Sequence, residues 1–251
     1  METLRFAQIS DLHLYAQKDF VYREHHTYQN FVQVIELLKE DVPNLDCVIF
    51  TGDMAANQEK EAYFHIDELM APLGIRWYWV PGNHDSHTVM QAVRSELSVD
   101  SSRYFEEKGV RFIMLNSTDP NEKEVEGILR TSELEFLDGL LADTWLPTIV
   151  VLHHQPIAIP NGWVDPLGLR NKQDFLHIID KHSHVIAVIF GHIHHAKIWE
   201  HNQVPYISAP ATSYQFNPYT AEFSLEDLAP GYRLYEVTNG VVRSEVKRIS
   251  F

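Results

Sequence analysis

Five short polar segments sit where hydrophobic runs end, and this restricts the fold more than any other feature of the chain. They are Asp11-Leu12-His13, Gly52-Asp53, Gly82-Asn83-His84-Asp85, His153-His154 and Gly191-His192-Ile193-His194. The runs before them are LRFAQIS, LDCVIFT, IRWYWVP, TIVVL and VIAVIF. In an open α/β sheet, ligands bind in the crevice outside the carboxyl ends of the strands. Segments converging there bring imidazole, carboxylate and carboxamide groups to one place, which is the donor set of a two-metal site.

Strand and helix patterns alternate around these segments. Tyr28, Phe31, Ile35 and Leu38 mark one face of a helix. Val48 to Phe50 reads as a strand, 59–71 as a helix, Trp77 to Val80 as a strand and 88–97 as a helix. Val110 to Leu115 is a strand, and Ser132 with Glu135 predicts a capping box opening a helix to about Leu141. Thr148 to Leu152, Gln173 to His182 and Val185 to Phe190 read as strand, helix and strand. The last quarter is β-rich: Gly231 to Val237 and Val241 to Ile249 flank Thr238-Asn239-Gly240, a hairpin signal. The pattern predicts an α/β fold and one domain over 1–251. The stretch 155–172 has three prolines and little periodicity; loops of this length are often functional.

Length and composition bound the rest. The chain has 251 residues, 45% hydrophobic and 22% charged, which suits one sizeable core. Its net charge of −15 argues against a nucleic-acid partner. Phosphate can still bind an acidic chain where metal supplies positive charge locally. The single cysteine, Cys47, reads as a small buried hydrophobe and allows no intramolecular disulfide, which fits a reducing cytosol. A strand pattern begins almost at once and no apolar run approaches the ~20 residues of a membrane span. The expectation is a cytoplasmic chain with no signal peptide and no membrane partner.

In extended chain, residues i and i+2 point to one side, so Asp11 with His13, and His192 with His194, are expected to face the site together. Asp53 follows a glycine that permits a sharp turn. Its two oxygens can bridge two ions; Asn83 adds a carbonyl oxygen and His153 an imidazole. Nitrogen and oxygen ligands without thiolate suit iron, manganese or zinc better than calcium. Two such ions about 3.5–4 Å apart activate a water and hold a phosphoryl oxygen during in-line displacement. His84, next to Asn83, is expected at the rim, to bind phosphate or protonate the leaving oxygen. Asp85 either orients His84 or caps the following helix. His154 and His195 face away from the site if the backbone stays extended. Eight others (His25, His26, His65, His87, His177, His182, His184 and His201) read as surface or helix residues.

Taken in order over 11–194, the five segments resemble the calcineurin-like metallophosphoesterases. Within that superfamily the chain is similar to the bacterial class III 3′,5′-cyclic AMP phosphodiesterases. The similarity there extends to Leu169-Arg170-Asn171 and to the tail from Gln215-Phe216 through Ala229-Pro230-Gly231. The resemblance implies a four-layer α/β/β/α sandwich with a dinuclear centre, usually of iron or manganese. It implies that Asp11, His13, Asp53 and His194 hold one ion, and Asp53, Asn83, His153 and His192 the other. Asn83 and His84 are the implied catalytic pair. Substrate contacts are expected from His13, Asp53, Asn83, His84 and His194. Arg170 and Asn171 join them by loop position, a structural salt bridge being the alternative for Arg170.

Three departures from the pattern are visible. Gln155 follows the paired histidines where many relatives have proline. Ala56 stands where some relatives carry an acid or amide. Tyr214 stands where glycerophosphodiester-cleaving relatives place a histidine.

The leading expectation is hydrolysis of 3′,5′-cyclic AMP, or a related cyclic nucleotide, to the 5′-monophosphate by metal-bound hydroxide. Alternatives are action on other small phosphate esters, such as glycerophosphodiesters, or on phosphoproteins. A non-catalytic scaffold is disfavoured because every ligand type is present, and a nuclease because no basic patch is visible.

Overall fold

The computed structural model describes residues 2–119 and 125–250. Two sheets lie face to face. The first has the order β13-β12-β1-β2-β3. Its parallel strands are β1 (Leu4–Ile9), β2 (Cys47–Phe50) and β3 (Trp77–Trp79), and the hairpin β12 (Gly231–Thr238) and β13 (Val241–Arg248) runs antiparallel along β1. The second has the order β4-β5-β6-β7-β9-β8. Here β5 (Val110–Met114), β6 (Thr148–Val151), β7 (Val185–Phe190) and β9 (Val204–Ser208) are parallel, and β4 (Tyr104–Glu107) and β8 (Ile198–His201) are antiparallel edges. A short pair, β10 (Gln215–Phe216) and β11 (Leu225–Glu226), stands apart.

Period-two alternation explains the stacking. Leu4 and Phe6 of β1 point between the sheets and meet Phe112, Ile149 and Ile189 from the second sheet. Ala7 and Ile9 point outward to α1 (Thr27–Leu38), α2 (Lys60–Met70) and α3 (His87–Val93). Ile113, Val150 and Val188 point to the opposite outer layer, α4 (Thr131–Ala142) and α5 (Lys172–Ile179). The result is the α/β/β/α sandwich that the resemblance implied. The Phe6 ring joins the sheets edge-on to Phe112 at 5.1 Å and lies flat on Tyr235 at 4.5 Å. Each such buried ring contributes about 1.5–3 kcal/mol of transfer free energy.

Several local expectations need correction. The helix at 131 starts two residues too early for a Ser132 capping box: Arg130 is the N-cap, with no side-chain bond, and Ser132 lies inside the first turn. The acid that matters there is Glu133, buried, paired with Arg103 at 2.8 Å and accepting the Asn116 N–H at 3.0 Å. Helix α3 stops at Val93 and continues as a tight turn, Arg94–Glu96. The hairpin β8–β9 carries no glycine turn signal in the sequence: its turn residues, Asn202 and Gln203, hold positive φ themselves. The stretch 155–172 is an ordered cover whose Ile159, Val164 and Leu169 are buried against the α4–α5 layer. Cys47 is fully buried between the sheets. Among the described residues no helix is long and apolar enough to cross a membrane.

Candidate metal centre

Each of the five segments leaves the carboxyl end of a strand: β1, β2, β3, β6 and β7 in order. The backbone there is not extended. Asp11, His13, Asp53, His192 and His194 all have positive φ, at 55°, 47°, 52°, 70° and 45°. The expectation of shared facing holds, but its reason does not. Left-handed residues alternate with Leu12 and Ile193, whose side chains are buried in the outer cores. Such conformations cost about 1–3 kcal/mol each and persist where surrounding contacts over-determine them. Gly52 is required for convergence: a Cβ there would lie 2.5 Å from His153 Nδ1.

The donor atoms form two groups that share one oxygen. In the first, His13 Nε2 is 3.0 Å from His194 Nε2 and 3.6 Å from Asp53 Oδ2, and His194 Nε2 is 3.5 Å from Asp11 Oδ1. In the second, Asn83 Oδ1 is 3.1 Å from His153 Nε2 and 2.9 Å from His192 Nδ1, and His153 Nε2 is 3.3 Å from Asp53 Oδ2. Asp53 Oδ2 therefore faces both groups, while its Oδ1 accepts the His84 N–H at 2.8 Å.

This arrangement fits divalent cations. His153 Nδ1–H donates to the Thr51 carbonyl at 2.7 Å, and His194 Nδ1–H donates to the Tyr214 carbonyl at 2.8 Å. Since a carbonyl only accepts, the neutral His194 is left to present its Nε2 lone pair inward, and His153 does the same once its Nε2 proton is displaced. The His194 lone pair then faces Asp11 Oδ1 across 3.5 Å, a repulsive contact without a cation between them. Metal–ligand bonds of about 2.0–2.2 Å put neighbouring donors of a tetrahedral or octahedral shell about 3.0–3.5 Å apart.

Electrostatics agree. Burial, reinforced by neighbouring imidazoles, pushes His13 and His192 down to about 3, so both are neutral donors at neutral pH. His194 is held well below its ordinary value in the same way. Burial opposes the charge on Asp53, but His153, His84 and His13 outweigh it and hold its carboxyl well below the usual range. His153 is the exception: it is buried too, yet the Asp53 and Asp11 carboxylates lift it to about 9, so a cation binding there displaces its Nε2 proton from Asp53.

The flanking residues behave less as the sequence suggested. His84 is exposed at the rim, as expected, with its ring 4.6 Å from that of His13. Its orientation comes from Nδ1 at 3.0 Å from the Ala56 carbonyl, not from Asp85. Asp85 does not cap the next helix either; Ser86 does, accepting the Val89 N–H. Buried Asp85 instead accepts from the N–H groups of Met54, Ala55 and Gly82 and from the Tyr63 hydroxyl.

His154 is fully buried, with its ring 4.7 Å from His192. Its Nδ1 meets Ser117 Oγ at 2.8 Å and its Nε2 the Val125 carbonyl at 3.0 Å, so both nitrogens are occupied. His195 turns away, as expected, to Glu226 at 3.2 Å. Arg170 is exposed and lies 3.5 Å from Asp119. The Asn171 carboxamide accepts the Leu129 N–H at 3.0 Å and donates to the Leu129 carbonyl at 2.8 Å. Sequence reasoning missed Phe216, whose ring lies parallel to the His194 imidazole at 3.9 Å, and the orienting carbonyls of Thr51 and Tyr214. Carbonyls carry no residue-specific signal.

Residues 4–196 match the family model described as calcineurin-like phosphoesterase. The chain belongs to that family. Among calcineurin-like phosphoesterases, it is 31% identical over 252 residues to a 3′,5′-cyclic-nucleotide phosphodiesterase of Nostoc sp., covering 99% of this chain and 93% of that one. It is 30% identical over 254 residues to the 3′,5′-cyclic adenosine monophosphate phosphodiesterase CpdA of Escherichia coli, covering 98% of this chain and 90% of that one. The fold is shared with a dimetal phosphatase from Danio rerio, at a TM-score of 0.67 and 16% identity, over 98% of this chain and 99% of that one. Family membership and the buried His/Asp groups together make the calcineurin-like centre a divalent-metal site.

Proposed function

We propose that this chain is a phosphodiesterase that hydrolyses 3′,5′-cyclic AMP, or a related cyclic nucleotide, to the 5′-monophosphate. One observation carries the reading: two donor groups share Asp53 Oδ2, with an exposed imidazole, His84, beside them. The names of the relatives aligned over nearly the whole chain support the substrate class.

In this reading Asp11, His13, Asp53 and His194 hold one divalent ion and Asp53, Asn83, His153 and His192 the other, with iron or manganese preferred and zinc acceptable to the same donors. Such a pair activates the attacking water and neutralises the phosphoryl oxygens. The chain's own groups do the rest. Asn83 turns Oδ1 toward His153 and His192, which leaves its Nδ2–H groups for a phosphate oxygen. His84 is anchored through Nδ1 to Ala56, so Nε2 points away from that anchor. As an imidazolium it donates the Nε2 proton to the departing 3′-oxygen. Arg170, exposed and 3.5 Å from Asp119, is the loop cation assigned to the nucleotide in this reading. We place the activity in the cytoplasm and expect a small-molecule partner, with no nucleic acid or membrane.

The test is a substrate panel with added manganese: cyclic AMP, cyclic GMP, a 2′,3′-cyclic nucleotide, a glycerophosphodiester and a phosphomonoester. The expected result is fastest turnover of a 3′,5′-cyclic nucleotide. Preference for the glycerophosphodiester or the monoester overturns the substrate and leaves the centre intact.

A further inference from the structure

Beneath the metal centre, between the sheets, a chain of buried polar side chains runs from the C-terminal hairpin to Asp11. The Tyr235 hydroxyl donates to Gln8 Oε1 at 2.6 Å. Gln8 Nε2 donates to Thr51 Oγ1 and to the Phe190 carbonyl, each at 2.9 Å. Thr51 Oγ1 donates to Ser10 Oγ at 2.7 Å. Tyr235 is 2% exposed, and Gln8, Thr51, Ser10 and Asp11 are fully buried, so water does not compete for these groups.

The direction of every bond is forced. The Phe190 carbonyl can only accept, so the Gln8 amide nitrogen must face it and Oε1 must face Tyr235. The second amide hydrogen goes to Thr51, which turns its single proton to Ser10. The Ser10 hydroxyl accepts that proton's bond and keeps its own proton to give away. Beside it lies Asp11 Oδ2, a buried carboxylate oxygen that no donor satisfies. Both oxygens crowd one point: a Cβ on Gly191 would lie 2.1 Å from Ser10 Oγ and 3.0 Å from Asp11 Oδ2. The other oxygen, Oδ1, faces His194 and accepts the His192 N–H at 3.0 Å.

We propose that this one-way relay ends on Asp11 Oδ2, fixes which carboxylate oxygen faces the first donor group, and so sets the affinity of the Asp11 side of the centre for its cation. Ser10, Thr51, Gln8 and Tyr235 are positioning residues, acting through Asp11. Thr51 serves both halves: its hydroxyl acts on Asp11 and its carbonyl orients His153. The relay also connects the centre to β12, which lies beyond the segment matched by the family model. The proposal rests on the metal reading of the site.

The test titrates chelator-stripped full-length protein with Mn²⁺ by calorimetry, with thermal unfolding as the folding check. Thr51→Val keeps the shape and the backbone carbonyl but ends the relay; Ser10→Ala removes only its last donor; Thr51→Ser retains a hydroxyl. In Thr51→Val and Ser10→Ala one of two Mn²⁺ binding steps is expected to weaken about 10–100-fold, as for other groups that orient metal ligands. The other step stays within about twofold, and Thr51→Ser restores the wild-type pattern. Unchanged binding in folded Ser10→Ala, or Thr51→Ser as weak as Thr51→Val, overturns the relay while the metal reading stands. A wild-type chain that takes up no Mn²⁺ overturns both.

Discussion

Tyr63 and Asp85 meet at 3.1 Å beneath the β2 and β3 loops, the phenol of α2 donating to a carboxylate that also gathers three backbone N–H groups. The contact fixes the loop carrying Asp53 against the loop carrying Asn83 and His84. Asp85→Asn presents an amide to donors that require an acceptor. Hydrogen bonds to charged groups contribute about 1.5–3 kcal/mol each, so a loss of at least about 2 kcal/mol is expected in urea unfolding. Tyr63→Phe removes one such bond and should cost about 1.5–3 kcal/mol. Asp85→Asn with wild-type stability would remove this structural role.

His84→Ala leaves the donor groups intact and removes the exposed imidazole. Turnover of cyclic AMP should fall about 10²–10⁴-fold, with metal content and melting temperature unchanged. Asn83→Ala should lose turnover and one metal equivalent together. Metal analysis alongside steady-state kinetics separates the two.

Arg170 and Asn171 are adjacent but should respond differently. Asn171→Ala deprives the Leu129 backbone of both partners, and leaving such buried groups unsatisfied costs about 1–3 kcal/mol each. It is expected to lower stability with little change in KM. Arg170→Ala is expected to raise KM with stability within about 0.5 kcal/mol. Kinetics and thermal unfolding of the same two proteins decide the matter.

The metal-free protein should be acid-sensitive. His13 and His192 stay neutral in the fold down to about pH 3, and His154 and His194 are likewise held well below their ordinary value, whereas the unfolded chain protonates all four near 6.5. Their contribution is full above 6.5 and is lost as pH falls. Asp11, raised to about 7, and Asp85, raised to about 6, oppose this, because the folded chain takes up those protons first. His153, raised to about 9, contributes fully below 6.5 and loses that contribution as pH rises through 9. Four histidines outweigh two carboxylates between pH 6.5 and 4, so stability should fall by at least about 1 kcal/mol per pH unit there. Urea midpoints of chelator-treated protein at pH 6.5 and 5 measure it; an equal or higher midpoint at pH 5 contradicts it.

Much of the centre was legible because its donors follow glycine or close an apolar run: Gly52-Asp53 and Gly191-His192 announce themselves. Apolar runs such as VIAVIF marked the strands themselves, although such a run cannot say which strands share a sheet. What escaped was held by groups without a local signature. Asn202 and Gln203 turn a hairpin with no glycine; Asp85 binds backbone 30 residues away. His154 belongs to the cover made by Ser117 and Val125, a relation that exists only in three dimensions.

The five donors in left-handed backbone have an evolutionary corollary. Coordination gives the chain a reason to keep Asp or His at positions where glycine or asparagine would sit with less tension. A descendant that abandoned catalysis would gain stability by letting those positions drift toward Gly or Asn. Retention of the full set in any homologue is therefore a mark of chemistry still under selection, since the scaffold alone would discard it.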